Sequence, residues 1–194
     1  MTDIAGPPLD VRKLVTVLAE FQVDYVIVGG IGALIHGATR ATKDADIVVN
    51  DTIPNLQNLA RALHKLRARA RVDSESVDYK NAKHAPNKRG RHIDDLEGAF
   101  LSVQTDAGPV DVMPSLKSRT GRLRYVDLLP QARSVAYSGQ ETTIIKVASL
   151  AHIIESKQLA ARPKDHQALP ELLELLNTKN PRTTRPDHDT GPTL

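Results

Sequence analysis

No cysteine occurs among the 194 residues, which excludes both a disulfide framework and a thiolate metal site. The absence fits a reducing cytoplasm, and a cytoplasmic location is the expectation. Tryptophan is also missing, and phenylalanine and tyrosine number two and four. Aromatic platforms for stacking nucleic-acid bases are therefore not expected. The core has to rest on Leu, Ile, Val and Ala. No stretch approaches the roughly 20 apolar residues of a membrane span. The opening "MTDIAGPPLD" lacks the basic-then-apolar layout of a secretory signal. No membrane partner is expected.

The chain is likewise poor in net charge, at +3, but what it has is unevenly spread. Tyr79 to His92, "YKNAKHAPNKRGRH", carries Lys80, Lys83, Lys88, Arg89 and Arg91 with no acid. Lys117 to Arg124, "KSRTGRLR", adds Lys117, Arg119, Arg122 and Arg124, again with no acid. Such runs suit a polyanion, and they suit a solvated loop equally well.

The apolar periods divide the chain into short elements. Leu9 to Phe21 reads as a helix capped by Asp10, with Leu14, Val17, Leu18 and Phe21 on one face. "DYVIVGG" reads as a buried strand ending in glycine, "IGALIHGA" as a short helix and "ADIVV" as the next strand. Asn55 to Arg71 has a helical period with a leucine face. Arg71 to Leu96 has no period and reads as an extended loop. "AFLSVQTDAGPVDVMP" predicts two strands about an Asp-Ala-Gly-Pro turn, and "RSVAYSG" with "ETTIIKV" a second hairpin. Two helices follow from Ala148, interrupted at Pro163. This order predicts an α/β (α+β) fold: a mixed sheet covered by helices, with a small helical C-terminal part. The expected divisions are a catalytic core over 1–146, a helical segment packed on it over 147–176, and a disordered tail over 177–194.

The chemistry concentrates in "VGGIGALIHGATRATKDADIVV". Asp44 and Asp46 stand two apart where a strand begins. Alternate strand side chains share a face, roughly 6.6 Å apart along it. Carboxylates held that close repel, and a cation between them relieves the repulsion. All-oxygen donors favour Mg²⁺ or Mn²⁺ over Zn²⁺. Taken alone, D-x-D reads as well as a strand-edge pair. Gly29 and Gly30, after a strand and before a helix, let backbone N–H groups approach phosphate oxygens; alone they are a tight turn. Asp111, flanked by valines in "PVDVMP", joins the pair if its strand lies beside "ADIVV". His36 and His152 read as packed histidines rather than ligands.

An apolar strand, Gly-Gly, thirteen residues, Asp-Ala-Asp and a later apolar-Asp-apolar strand resemble the pattern of the DNA polymerase β-type nucleotidyltransferase superfamily. More narrowly, Tyr25 to Val49, Val110 to Val112 and Ala148 to Leu172 look like the AbiEii-type nucleotidyltransferases, often toxins of bacterial toxin–antitoxin pairs. Position 30 is Gly where many relatives carry Ser, so a hydroxyl contact to phosphate is missing. The basic loop fits no pattern of the family.

The resemblance implies a nucleotidyltransferase fold and an enzyme using an NTP with Mg²⁺ or Mn²⁺. Asp44, Asp46 and Asp111 would hold the metal, with Asp111 also a candidate base, and Gly29 and Gly30 would hold phosphates. Arg40 is a phosphate or loop-bracing candidate. In "SKQLAARPKD", Lys157 and Arg162 become triphosphate ligands, with Asp165 orienting one of them or capping the helix; Lys146 is a second candidate lysine. The expected acceptor is a tRNA 3′ end, gripped by the basic runs, with a protein or kinase antitoxin as the implied partner. A protein or small-molecule acceptor, and a non-catalytic RNA- or partner-binding module on the same fold, are the alternatives.

Overall fold

The computed structural model describes residues 6–71, 100–138 and 142–179. The chain order is α1 (Val11–Glu20), β1 (Tyr25–Ile27), α2 (Gly29–Ile35), β2 (Ala45–Val49), α3 (Ile53–Lys65), β3 (Arg69–Ala70), β4 (Leu101–Thr105) and β5 (Gly108–Met113). There follow β6 (Leu116–Ser118), β7 (Gly121–Leu123), α4 (Tyr125–Leu128), β8 (Arg133–Ser138), β9 (Thr142–Val147), α5 (Leu150–Ala160) and α6 (Pro163–Lys179).

Seven strands form one mixed sheet in the order β3-β4-β5-β2-β1-β9-β8. β1 runs antiparallel to β2, whereas β2 with β5 and β1 with β9 are parallel. Both faces of the central strands are covered. That is why "YVIV" and "DIVV" are almost unbroken apolar runs rather than alternating ones. On one face Tyr25, Ile27, Ile47, Val110 and Val112 pack with Leu14, Leu18, Leu56 and Leu59 of α1 and α3. On the other, Val26, Val28 and Val48 pack with Leu150, Ile153 and Ile154 of α5, Leu172 of α6, and Leu116. Asp46 and Asp111 alternate with residues of the first face, so they point to the second, beneath α5 and α6.

Most of the expected elements are present with trimmed ends. Asp10 caps α1, accepting from the Lys13 N–H at 2.9 Å. α3 stops at Lys65 rather than running to Arg71. Arg67 adopts φ +52, and the Ala68 N–H returns to the Leu63 carbonyl at 3.0 Å, a helix-ending arrangement. Arg69 and Ala70 then pair with β4, a tertiary contact that overrides local helical propensity. α6 begins at Pro163 and continues to Lys179, beyond the expected boundary at 176. The run at Lys117 to Arg124 is not loop alone: it forms the hairpin of β6 and β7. The expected loop after Arg71 and the tail after Lys179 lie outside the described residues. No described helix is long and apolar enough to cross a membrane.

Candidate active site

The floor of the site is two carboxylates in register. β2 and β5 pair in parallel with Asp46 opposite Asp111, and Asp44 stands just before β2. α2 starts directly over them. Gly29 has φ +56, and a Cβ there would lie 1.9 Å from Asp46 Oδ2. Glycine is therefore required twice, for the left-handed backbone and for the contact. The Gly30 N–H donates to the Asp46 carboxylate.

The crowding shows in Asp46, whose pKa is pushed up to about 7, first by burial, then by the Asp44 and Asp111 carboxylates. Burial also raises Asp111, with Asp44 adding to it; the hydrogen bond from Ser102 and the charges of Arg71 and Lys164 work against the rise. The Ser102 hydroxyl, fully buried, donates to Asp111 Oδ1 at 2.6 Å. Arg71 lies 3.8 Å from the same oxygen. Asp44 Oδ1 accepts from the Thr42 hydroxyl at 2.8 Å. Among the described residues no three acids or histidines form a ready cation cage. The acids are oxygen donors facing one space, Asp44 and Asp46 each braced by one neighbour and Asp111 by two, and a cation bound here would have to draw them together.

The opposite wall is the corner between α5 and α6. Ala161 turns it with φ +49. Asp165, fully buried, accepts from Arg162 Nε at 2.7 Å and from Lys157 Nζ at 3.2 Å. Burial pushes the Asp165 pKa up, but the Arg162 hydrogen bond and the charges of Arg162 and Lys157 outweigh it and hold the carboxyl below its usual range. Asp165 is thus a brace inside the corner with no surface to offer a nucleotide. Lys157 is mostly buried against it. From this corner the charge of Arg162 acts on Asp46 and Asp44, and that of Lys164 on Asp46 and Asp111.

The remaining candidates fall elsewhere. Lys146 is exposed on β9 and donates to Ser134 of the edge strand β8 at 2.7 Å. Arg40 is exposed on the loop before Asp44, and among the described residues no hydrogen bond or ion pair joins it to the acids. The Arg119 side chain donates to Gln158 of α5 at 2.9 Å, Arg122 approaches Ser115 at 3.4 Å, and Arg124 lies 3.9 Å from Asp51. Lys80, Lys83, Lys88, Arg89 and Arg91 are outside the described residues. His36 is buried, its ring nitrogen donating to the Ala148 carbonyl at 2.8 Å. His152 Nδ1 is buried without a partner among the described residues.

Reading the sequence alone passes over Lys164, Ser102, Arg71 and Thr42. A signal existed for Ser102: the short turn from Thr105 to Gly108 fixes the hairpin register and sets Ser102 opposite Asp111.

No family model matches the chain, nor does any curated protein. Solved structures do. A candidate nucleotidyltransferase from Thermotoga maritima superposes with a TM-score of 0.51 at 18% identity, over 84% of this chain and 90% of that one. The antibiotic-resistance factor ANT(2'')-Ia, in its solution structure, gives 0.52 at 15% identity, over 87% and 81%. The same factor in complex with adenylyl-2''-tobramycin gives 0.50 at 14%, over 87% and 86%. The fold is that of a nucleotidyltransferase. At these identities the likeness is one of architecture. It shows the fold and does not extend to the narrower AbiEii-type resemblance.

Proposed function

We propose that the protein is a divalent-cation-dependent nucleotidyltransferase that joins a nucleoside monophosphate to an acceptor hydroxyl. The observation that carries this is Asp46 in register with Asp111 under the Gly29-Gly30 turn, with Asp44 beside them. Asp46 titrates near 7, and the nearby acids raise it more than the charge of Lys164 lowers it. Such an acid cluster has a strong electrostatic reason to take up a hard cation. Mg²⁺ or Mn²⁺ bound there would polarise phosphate oxygens and acidify the acceptor hydroxyl.

The chain's own residues supply the rest. Asp44, Asp46 and Asp111 hold the cation. Both neighbours of Asp111 engage Oδ1, which leaves Oδ2 to accept the hydroxyl proton as general base. The acceptor oxygen bonds to the α-phosphorus, the bond from that phosphorus to the bridging oxygen breaks, and pyrophosphate leaves. The Gly29 N–H and the Arg162 and Lys164 side chains receive triphosphate oxygens, while the Gly30 N–H stays with Asp46. Lys157 and Asp165 act by holding Arg162 in place.

The acceptor we favour is RNA, a tRNA 3′ end in particular. Lys117 and Arg122 stand directly opposite each other on the β6–β7 hairpin. Like charges so placed cost stability, and a polyanion laid across them removes the cost. An enzyme that blocks tRNA 3′ ends would stop translation and act as a toxin, requiring a protein or kinase antitoxin. A small-molecule hydroxyl is the second reading, favoured by the fold shared with a protein solved with adenylyl-2''-tobramycin.

The test is a labelling assay. Purified protein is incubated with bacterial RNA, Mg²⁺ and each α-labelled NTP, beside Asp46→Ala. Label in a tRNA-sized band, absent with the variant, is the expected result. Label in small molecules instead would select the second reading. No label anywhere, with no metal-dependent nucleotide binding, would leave a non-catalytic binding module.

A further inference from the structure

Position 30 and position 42 compete for one space. A Cβ built on Gly30 would lie 2.5 Å from the Thr42 hydroxyl oxygen and 2.6 Å from its Cβ. No real side chain tolerates such an approach, so Gly30 is what admits Thr42. The admitted hydroxyl donates to Asp44 Oδ1 at 2.8 Å, with the Asp44 carbonyl at 3.3 Å. Asp44 needs such a brace more than its neighbours. Asp46 is fixed by the sheet and by the Gly30 N–H, and Asp111 by the sheet, Ser102 and Arg71. Asp44 precedes β2 in a loop, and among the described residues the Thr42 hydroxyl is the one hydrogen-bond donor to its carboxylate.

We infer that Thr42 is a positioning residue for Asp44, and that its hydroxyl occupies the volume a side chain at position 30 would fill. The group that braces the loop acid thus comes from twelve residues further along the chain, and the bare backbone at Gly30 makes room for it. The two positions form an exchangeable pair: Gly with Thr, or Ser with Ala, but not Ser with Thr. The inference rests on the proposed nucleotide site, since Asp44 is braced there for the cation.

The experiment compares wild type with Thr42→Ser, Thr42→Ala, Thr42→Val, Gly30→Ser, and the double variant Gly30→Ser/Thr42→Ala. Two readouts are taken: the melting temperature without ligand, and the affinity for a non-hydrolysable NTP with and without Mg²⁺. Overpacking predicts that Gly30→Ser alone lowers Tm by about 5 °C, and that the double variant recovers most of that loss. Loss of a hydrogen bond to a charged group predicts that Thr42→Ala and Thr42→Val weaken Mg²⁺-dependent binding by about tenfold or more. Thr42→Ser should keep it, and the double variant should regain it. Thr42 variants binding like wild type, or a double variant no better than the two single ones, would overturn the inference while leaving the nucleotide site intact. Wild type without Mg²⁺-dependent binding would overturn the site and the inference together.

Discussion

Two aspartates of this protein, Asp46 half-buried and Asp165 fully buried, answer to pH in opposite directions. The Asp46 pKa lies above its ordinary value of 3.8, at about 7. Between these two values the folded protein keeps a proton that the unfolded chain has already released, so stability falls as pH rises through that window. Asp165 is held below its ordinary value by Arg162 and Lys157 against the pull of burial. Its contribution is therefore full above about pH 4 and is lost as pH drops further. Asp46→Asn removes the first effect and spares the second. A tenfold change in proton affinity corresponds to about 1.4 kcal/mol. The variant should melt on the order of 5 °C higher than wild type at neutral pH without metal, with a flatter decline between about pH 4 and 7, while losing the transferase activity we propose. Melting curves across pH check this; a wild-type profile flat over that window would contradict the crowding of the three acids.

At the scale of elements, the corner between α5 and α6 is strained for a reason. Ala161 sits at φ +49 and ψ +28, a conformation that costs an L residue roughly 1–2 kcal/mol. The turn brings both Lys157 and Arg162 onto the Asp165 carboxylate and carries Lys164 toward the acids. Ala161→Gly should relieve the strain, offset by its larger unfolded-state entropy. A net Tm rise of about 2 °C is expected, from differential scanning calorimetry. A fall would mean that the Cβ packs favourably in the corner. Much of this level was legible in the sequence. The "ADIVV" and "VDV" strands, their glycine turn and the Pro163 break stand where their spacing placed them, whereas Asp44 falls just before its strand rather than in it. The hairpin of β6 and β7 was hidden because Lys117 and Arg122 hold its exposed facing positions, so charge masked the alternation between Leu116 and Leu123. The end of α3 was hidden because Arg67 turns for the sake of β4, a partner far away in sequence. Lys164 was hidden because whether a lysine reaches an acid depends on helix docking, and no local spacing encodes that.

Across the whole molecule, ligand and stability are linked. If the site takes a triphosphate with its cation, a nucleotide at about 100 times its Kd adds about 2.7 kcal/mol to the folded state, a Tm increase of roughly 5–10 °C for a chain of this size. The increase should vanish with EDTA and with Asp46→Ala. An equal shift with EDTA present would mean that nucleotide binds somewhere other than the acid cluster.

The pairing of β2 with β5 has one more consequence, for the moment at which the chain becomes competent. β1, α2 and β2 are neighbouring segments that leave the ribosome before β5. Asp111 arrives only when β5 inserts beside β2 in parallel, a non-local closure of the kind that forms slowly. The cations come later still, with α6. A growing chain that has left the ribosome only as far as β2 carries two crowded acids and no means of using them. Even with the sheet closed it lacks Arg162 and Lys164. If the acceptor is the tRNA we favour, a chain of that chemistry would stay inert until α6 emerged and completed the site.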